Sequence, residues 1–502
     1  MSILITNRAG GGGGGVVVKS FTIANNQVAP ADVTGFSVDP LLANGFISEM
    51  SIVRRTDTVV TGSVNAPYVA NLPSLNGAVV GSASSGSGTV IVGDFSQVNA
   101  VARARITKLN ANGTEDAVFA ANVGIGFNSA AIAVASYSDG SVLVGGAFSH
   151  LNGVLINPGR IVKLSSAGVL DAPFNTNLGG GPNGAVQTLA IQTDGKALIG
   201  GDFTSWNANP INRLVRINAD GTEDTAFTTN LGTGFNGRVR SVVVNSSGSI
   251  LVAGQFTSFN GNARDYFVQL NADGTENATF YSTAIASGGF TGGTLYEAFY
   301  QADGKVLLGG DFTGFAGVTN YGVVRLSATG VPDTAFNSNT VAGFAAQYSI
   351  LAIGQSPQGK IVVGGDFTVY DGNSNLVGVA QLNLDGTTDA TFTANFVAPS
   401  PTYLGASFNY NANGLYIGSY DGTGAAFFSR LGEGLVELST QQTLRGVYNS
   451  LSGVWSVGAI VSIGDAVGVS FSMTPAGQLQ YTSTNIAGTV LASIMRFVVQ
   501  AL

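Results

Sequence analysis

One glycine–aromatic phrase recurs along the chain at nearly constant spacing, and it restricts the possible folds more than any other feature. The aligned aromatic residues lie 53 to 56 positions apart. They are Phe95, Phe148, Phe203, Phe256, Phe312, Phe367 and Tyr420. A fixed period of this length is typical of arrays in which each repeat buries its faces against its neighbours. The sequence therefore predicts seven copies of one structural unit.

Turn-forming residues divide each repeat into short strands. In residues 184–227, apolar runs are separated at Asp194–Gly195, Asn207–Ala208 and Asp220–Gly221. Other repeats place Asn152–Gly153, Asn260–Gly261 and Asp371–Gly372 at the middle turn. Such pairs supply the positive φ angles that two-residue hairpins require. We therefore predict that each repeat is a four-stranded antiparallel meander, with a segment such as 223–227 as its fourth strand.

The strands of these repeats need cover on both faces. Only 10% of the 502 residues are charged, 45% are hydrophobic and 71 are glycines, which favours strands and turns over amphipathic helices. Runs such as Val142–Val144 are apolar at consecutive positions, and sheets packed face to face around a ring would cover both sides. The glycine pair would let neighbouring sheets converge near the axis. We predict a seven-bladed β-propeller over residues 63–434.

The two ends of the array predict how the ring closes. The first six repeats end in a motif such as the "EDTAF" that finishes at Phe227, whereas the seventh lacks it. A matching stretch, "VNAPYV", begins at Val64, before the first full repeat. We therefore predict that residues 64–69, and Asn65–Val69 in particular, provide the closing strand of the last sheet, with Tyr68 near Tyr416.

Strand-like segments also lie on both sides of the repeats. Residues 16–62 and 435–502 contain runs such as "VVVKSFTI" and "MRFVVQAL". We predict that the two segments form one β-sandwich-like assembly or docking domain, split in sequence by the inserted propeller. Residues 1–15 are predicted to be a peptide joined through the flexible linker Gly10–Gly15. The predicted fold class is all-β.

Composition excludes several classes of partner. The net charge is -8, whereas binding to nucleic acid or to an anionic membrane would need a basic surface. No apolar run approaches the roughly 20 residues that span a bilayer, so membrane insertion is not expected. The sequence contains no cysteine, which excludes disulfides and thiolate metal sites. The N-terminus lacks the features of a secretory signal, so ordinary export is not expected.

Few residues carry recognisable chemistry. His150 is the only histidine in the sequence, so a His-based metal cluster or a Ser-His-Asp array is not expected, and we interpret it as a strand or loop residue. Aspartate recurs at one repeat position: Asp94, Asp202, Asp311 and Asp366. Ala147, Gln255 and Ser419 replace it in other repeats. A residue tied to blade geometry recurs, whereas a catalytic pair breaks the symmetry, so we favour a structural role over an acidic cation site or a catalytic pair. We predict no catalytic, cofactor-binding or metal-binding residue.

Two further sets of repeated residues allow both a structural and a binding interpretation. Asp or Asn opens each closing segment: Asn65, Asp116, Asp171, Asp224, Asn277, Asp333 and Asp389. We interpret these side chains as acceptors for nearby backbone N–H groups. Aromatic residues follow the glycine phrase: Trp206, Phe259, Phe315 and Tyr370. They would form a surface-binding ring for sugars if exposed, but Val98 and Leu151 at equivalent positions favour core packing.

The repeat resembles the delta-60 repeat of bacterial and phage β-propellers. The stretches "DGKVLLGGDF" and "VVRLSATGVPDTAF" carry this resemblance, which covers residues 63–431. The flanks resemble a β-rich module of tailed-bacteriophage virion proteins. That resemblance is carried by "SFTIANNQVAPADVTGFSVD", "SIVRRTDT" and "VGVSFSMTPAGQLQYTSTNIAGT".

The flanking resemblance implies a structural component of a virion: a tail, fibre or decoration protein assembled in the host cytoplasm. It implies homotrimer assembly and other virion proteins as partners. The propeller would then be a display head, or a head that binds a host-surface glycan or protein. Two alternatives stay open, namely a carbohydrate-active enzyme and a bacterial surface adhesin, each built on the propeller.

Overall fold

A computed structural model places a large part of the chain. It describes residues 3–6, 16–24, 45–55, 59–64, 71–340, 348–356, 359–367, 376, 378–390, 392, 404–411, 414–420, 426–434, 441–449, 454–463, 469–473, 479–483 and 492–501. The chain divides into two units, residues 1–59 with 434–502 and residues 60–433. Each unit is described below by itself.

The regular elements are short and are almost all strands. The strands up to the first repeat are β1 (Ile3–Thr6), β2 (Val16–Ala24), β3 (Gly45–Arg55) and β4 (Val59–Val64). The repeats contain β5 (Val79–Ser85), β6 (Gly88–Gly93), β7 (Gln97–Val98), β8 (Val101–Ala102), β9 (Ile106–Leu109), β10 (Ala131–Ser136), β11 (Val142–Gly146), β12 (His150–Leu151), β13 (Val154–Leu155), β14 (Ile161–Leu164), β15 (Val186–Ile191), β16 (Ala197–Gly201), β17 (Ser205–Trp206), β18 (Asn209–Pro210), β19 (Leu214–Ile217), β20 (Val239–Val244), β21 (Ile250–Gly254), β22 (Ser258–Phe259), β23 (Asn262–Ala263), β24 (Phe267–Leu270), β25 (Phe290–Thr291), β26 (Leu295–Tyr300), β27 (Val306–Gly310), β28 (Gly314–Phe315), β29 (Val318–Thr319), β30 (Val323–Leu326), β31 (Ile350–Gln355), β32 (Ile361–Gly365), β33 (Val379–Leu382), β34 (Leu404–Asn411), β35 (Gly414–Tyr420) and β36 (Ala426–Gly434). The remaining strands are β37 (Gln441–Asn449), β38 (Val454–Ile463), β39 (Val469–Met473), β40 (Leu479–Ser483) and β41 (Ala492–Ala501). The helices are α1 (Ala117–Val123), α2 (Ala172–Asn177), α3 (Thr225–Asn230), α4 (Ala278–Ala284) and α5 (Thr334–Thr340). In the described part of the chain no helix is long and apolar enough to cross a membrane.

The N- and C-terminal segments pair within one sheet. Its strand order is β1-β2-β41-β3-β37-β38, and β39 and β40 form a separate hairpin. β41 lies between β2 and β3 and is antiparallel to both, with Val16 opposite Gln500 and Gly45 opposite Ala501. Strands from opposite ends of the sequence therefore share backbone hydrogen bonds.

Each of the first six repeats contains a three-stranded antiparallel sheet. The strand orders are β5-β6-β9, β10-β11-β14, β15-β16-β19, β20-β21-β24, β26-β27-β30 and β31-β32-β33. The central strands are fully buried, as the apolar runs in the sequence predict. The first strand of each sheet, here called the inner strand, contacts the inner strand of the next sheet along the chain. These are the strand-rich repeats of a propeller-like, all-β fold.

The prediction of a four-stranded meander in each repeat is wrong for these six sheets. The expected fourth strand is reduced to a single bridge, such as Leu164 with Leu170, and the motif that follows forms a short helix in five repeats. In α2 the Asp171 side chain accepts a hydrogen bond from the backbone N–H of Phe174 at 3.2 Å, and a proline lies in the first turn. An Asp cap and an early proline both favour the start of a helix.

The middle turns form hairpins that are separate from the main sheets. β12 pairs with β13, and β17, β22 and β7 pair with the strands that follow them. Asn152 and Gly153 have φ angles of 50° and 75°, so the predicted positive-φ turn is confirmed there. Asp371 and Gly372 lie outside the described residues.

The last sheet has a different composition from the other six. Its order is β34-β35-β36-β4, so a strand from before the first repeat forms its edge. This edge strand, Val59–Val64, shares Val64 with the predicted closing segment, residues 64–69. Asn65–Val69, including Tyr68, lie outside the described residues.

The first glycine of each pair allows neighbouring sheets to approach closely. A Cβ atom on Gly200 would lie 2.6 Å from Val239 Cγ1 on the next inner strand, and one on Gly309 would lie 2.8 Å from Ile350 Cγ2. Both distances are shorter than a normal carbon–carbon contact. The predicted convergence of adjacent sheets at this position is confirmed.

Replacing Gly200 with alanine is expected to lower the free energy of unfolding by about 1–3 kcal/mol, because the added methyl group overpacks the contact between sheets. Gly180 provides the control, since its Cβ would lie 3.6 Å from the nearest atom, Asn207 Oδ1. Gly180→Ala should leave stability within about 1 kcal/mol of the parent. Urea denaturation of both variants measures the difference, and equal midpoints would contradict the close packing.

Candidate ligand site

Three of the four aromatic residues considered as a surface-binding ring are buried. Trp206, Phe259 and Phe315 are 0%, 1% and 2% exposed, respectively. The ring of Trp206 packs edge-on against Phe203 with centroids 6.2 Å apart. None of the three offers a ring face to a ligand, which corrects the surface-binding interpretation and agrees with core packing. Tyr370 lies outside the described residues.

The residues that open the helices act locally. Asp116, Asp171, Asp224 and Asn277 each accept a hydrogen bond from a backbone N–H in the first turn of the following helix. Asp333 and Asp389 accept equivalent bonds from Phe336 and Phe392. The predicted acceptor role is therefore confirmed, although it caps a helix and does not start a strand. Asn65 lies outside the described residues.

His150 lies on β12 and has polar neighbours. Its Nδ1 atom is 2.9 Å from Ser149 Oγ and 3.2 Å from Asn128 Nδ2. The side-chain Oδ1 of Asn128 accepts hydrogen bonds from the backbone N–H groups of both Ser149 and His150. The histidine therefore belongs to the hydrogen bonding of a hairpin, as the sequence interpretation expected.

A group of polar residues gathers where three consecutive inner strands begin. The second residue of the inner strand is apolar in other sheets, as at Val80, Ile132 and Leu351. In β15, β20 and β26 it is polar. We define the polar inner-strand cluster as Gln187, Asp202, Arg238, Arg240, Gln255, Tyr296 and Asp311. All seven side chains are partly exposed.

The two carboxylates of this cluster are already engaged by other side chains and by the backbone. Asp202 forms an ion pair through Oδ1 with Arg238 Nε of the next sheet, and its Oδ2 accepts from Gln187 Nε2 at 2.8 Å. Asp311 Oδ1 accepts from the backbone N–H of Thr294, and its Oδ2 accepts from Tyr296 O–H at 3.1 Å. Each of the four carboxylate oxygens has a donor. The recurring aspartates Asp202 and Asp311 therefore differ in their partners from sheet to sheet.

Arg240 makes a longer hydrogen bond within the cluster than Arg238 does. Its Nη2 atom lies 3.3 Å from Gln255 Oε1, and its guanidinium carbon lies 5.2 Å from the centre of the Tyr296 ring. Its Nε atom is buried and lacks a hydrogen-bond partner among the described residues. Burial, followed by the positive charge of Arg238, lowers the pKa of Arg240. The guanidinium still carries its charge at neutral pH, because arginine begins from a very high pKa.

A partly buried proton-binding group, Glu297, lies on one of the same inner strands. Ser241 is buried, and its hydroxyl donates to Glu297 Oε1 at 2.8 Å. The backbone N–H of Ala298 lies 3.2 Å from both Ser241 Oγ and Glu297 Oε1. Burial raises the pKa of Glu297 to about 7, against an ordinary value of 4.5. Glu297 is therefore a carboxyl group that exchanges its proton near neutral pH.

Glu297 should make stability depend on pH. The folded protein holds this proton more tightly than the unfolded chain, so the contribution is full below pH 4.5 and is lost as pH rises through about 7. Glu297→Gln should resemble the parent at pH 4.5 and exceed its unfolding free energy at pH 8 by at most about 3 kcal/mol. Denaturant titrations at the two pH values measure this. A difference that does not change with pH would contradict the assignment.

The repeats match a known family of propeller sequences. A family model described as "Domain of unknown function (DUF5122) beta-propeller" matches residues 79–119, 192–227, 246–280, 301–336 and 357–392. No curated protein matches the sequence. Together with the repeated sheets, the family model identifies the repeat array as a β-propeller-type domain.

The chain also matches several solved structures at low sequence identity. The extracellular domain of a putative one-component system from B. thetaiotaomicron is 10% identical, with a TM-score of 0.42, over 75% of this chain and 39% of that one. The periplasmic gluconolactonase PpgL of Pseudomonas aeruginosa is 11% identical, with a TM-score of 0.29, over 87% of this chain and 100% of that one. A GH43_12 protein from a capybara gut metagenome is 12% identical, with a TM-score of 0.24, over 90% and 100%. The chain thus spans about two fifths of the length of the first of these structures.

The sequence analysis singled out Asp202 and Asp311 of the polar inner-strand cluster as recurring residues, but not their partners or Glu297. Gln187, Arg240 and Tyr296 do not recur from repeat to repeat. The available signal was the change from Val80 and Ile132 to Gln187, Arg240 and Tyr296 at one aligned position.

Proposed function

We propose that residues 60–433 form a closed seven-bladed propeller that recognises a polar ligand, and that the chain acts by binding. The observation that carries this proposal is the polar inner-strand cluster, which occupies three consecutive sheets and differs from sheet to sheet. A residue needed by blade geometry repeats in all blades, whereas a ligand contacts one part of a ring. Clustered polar groups at converging strand ends are also where binding sites of ring-shaped folds form.

Backbone contacts support the closed ring. The inner strands contact each other in the order β5, β10, β15, β20, β26, β31 and β34, and β34 contacts β5. The last sheet takes its edge strand, β4, from the other end of the array. Seven sheets with this cyclic order are what a seven-bladed propeller requires.

Binding is tested by converting the cluster to the residues of the other sheets. Gln187→Val, Arg240→Ile and Tyr296→Leu in one chain reproduce Val80, Ile132 and Leu351. We expect the parent to bind members of a glycan panel and the triple variant to lose that binding while keeping its circular dichroism spectrum. A parent that binds nothing on the panel, or a folded variant that binds equally, would overturn the proposal.

The second unit is proposed to serve assembly. This proposal is supported by the sheet in which β2 and β3 pair with β41, and it includes a β-sandwich-like arrangement of the unit.

We extend the proposal to a role as a virion protein, namely a tail, fibre or decoration component. The propeller would be its display head or host-surface-binding head, and the protein would be a homotrimer. The flanking resemblance supports this role. Mass spectrometry of purified phage particles and light scattering of the purified chain test it, and particles without its peptides would contradict it.

A carbohydrate-active enzyme is the second candidate, and Glu297 favours it. Glycoside hydrolysis needs a carboxylic acid that is still protonated near neutral pH, and burial gives Glu297 that property. This candidate predicts release of reducing ends from a bound glycan and loss of that release in Glu297→Gln. Binding without turnover would favour the binding head or a surface adhesin.

A further inference from the structure

Arg240 is a cation whose acidic neighbours are committed elsewhere. Within the described residues no carboxylate lies at ion-pair distance from it. Asp202 is engaged by Arg238 and Gln187, and Asp311 by Thr294 and Tyr296. Arg238 therefore has a carboxylate partner, Asp202. The nearby Arg240 instead has the amide oxygen of Gln255 at 3.3 Å.

This arrangement suits an incoming anion. Arginine presents several N–H donors in a planar fork that matches the two oxygens of a carboxylate. The Tyr296 ring, whose centre lies 5.2 Å from the guanidinium carbon, restricts the Arg240 side chain before any ligand arrives. A side chain held in place loses less conformational entropy on binding than a free one.

The surrounding amides are suited to hydroxyl groups. Gln187 uses its Nε2 atom on Asp202, and Gln255 uses its Oε1 atom on Arg240. The opposite amide atoms, Gln187 Oε1 and Gln255 Nε2, make no hydrogen bond with the described residues and are partly exposed. Gln187 Oε1 can accept a hydrogen bond and Gln255 Nε2 can donate one, and neighbouring sugar hydroxyls can satisfy both.

We infer that the polar inner-strand cluster binds an acidic sugar, with Arg240 holding the carboxylate and Gln187 and Gln255 contacting the hydroxyls. This inference rests on the proposed binding function and narrows its ligand to one class. Asp202 and Asp311 would disfavour a second negative charge at the same place. A singly charged carboxylate therefore fits the cluster better than a phosphate dianion does.

The test uses matched probes and the full chain. The probes are a trimer of galacturonic acid, its carboxyl-reduced neutral counterpart, and triglutamate as a carboxylate without sugar. Isothermal titration should show binding of the acidic trimer alone, weakened by added salt. Arg240→Gln should weaken that binding by about tenfold or more, and Arg240→Lys should weaken it less. Lys305→Gln, which removes an exposed charge paired with Asp303, should leave it unchanged.

The outcomes separate this inference from the proposed function. Equal binding of the neutral trimer, or of triglutamate, would overturn the acidic-sugar assignment while a binding propeller stands. Unchanged binding in Arg240→Gln, with an unchanged melting temperature, would overturn the role of Arg240. Failure of the parent to bind the acidic trimer, while neutral glycans on the panel bind, would overturn the inference alone. Failure on the whole panel would overturn both.

Discussion

Replacing Trp206 with alanine is expected to lower the free energy of unfolding by about 3–5 kcal/mol. The side chain is 0% exposed and belongs to a core cluster with Leu178, Ile199 and Phe203. Removing it leaves a large cavity between a hairpin and a main sheet. Urea denaturation followed by intrinsic fluorescence or circular dichroism measures the loss.

Phenylalanine at the same position is the informative control. The indole Nε1 of Trp206 is buried without a hydrogen-bond partner among the described residues, so removing it relieves an unsatisfied donor. Phe259 and Phe315 already fill the equivalent position in other repeats. Trp206→Phe should therefore cost about 1.5 kcal/mol or less. A Trp206→Ala variant that keeps full stability but loses ligand binding would contradict the core assignment.

Replacing Asp224 with alanine is expected to cost about 3–5 kcal/mol, because the change leaves Arg216 as an unpaired buried charge and removes a helix cap. Asp224 Oδ2 lies 2.9 Å from Arg216 Nη2 and 2.8 Å from Lys196 Nζ. Oδ1 accepts from the backbone N–H of Phe227 at 3.3 Å. The Asp224 and Arg216 side chains are each 10% exposed.

The pH dependence of the Asp224 contribution follows from its contacts. Burial by itself would raise the pKa of Asp224, but hydrogen bonds from Lys196 and Phe227 and the charge of Arg216 hold it below its usual value. The stabilisation is therefore present above the ordinary pKa of 3.8 and is lost as pH falls through the lower folded value. The Asp224→Ala penalty should shrink in acid.

The repeat that contains α4 suggests a variant that separates the helix-capping role of Asp224 from its ion pair with Arg216. There, Asn277 caps α4 and donates to Gln269 Oε1 at 2.8 Å, so an amide pair replaces the charged pair. Asp224→Asn should keep the helix cap but still lower the free energy of unfolding relative to the parent. The double variant Asp224→Asn/Arg216→Gln should regain at least half of that decrease. Equal stability of the single and double variants would contradict a coupled pair.

The sequence predicted the parts of the fold that are encoded by local turns and by repetition. Asn152–Gly153 adopts the predicted positive φ angles, and the predicted contact of Gly200 with the next sheet is confirmed. The fourth strand was predicted wrongly because the Asp220–Gly221 turn is followed by only one bridge, between Ile217 and Glu223, instead of a strand. The decisive feature is the Asp224 side chain, which bonds to the first turn of a helix.

The candidate site was harder to predict because Gln187, Arg240 and Tyr296 do not recur from repeat to repeat. Arg240 and Glu297 gain their properties from packing between sheets that are more than 50 residues apart in sequence, as in the Ser241–Glu297 contact. Burial of Trp206 likewise depends on how its hairpin folds back onto a main sheet. A single repeat cannot report such contacts, whereas comparing aligned positions between repeats identifies them.

Cysteine cross-linking can test the proposal that β4 closes the ring by pairing with β36. The sequence has no cysteine, so Thr61→Cys can be combined in turn with cysteine at residues 427–433 under oxidising conditions. We expect at least one neighbouring pair to form a disulfide within the chain as readily as a Ser258→Cys/Ala263→Cys pair, whose positions face each other in β22 and β23. If that control pair forms and none of the β4–β36 pairs does, the ring is not closed by this strand.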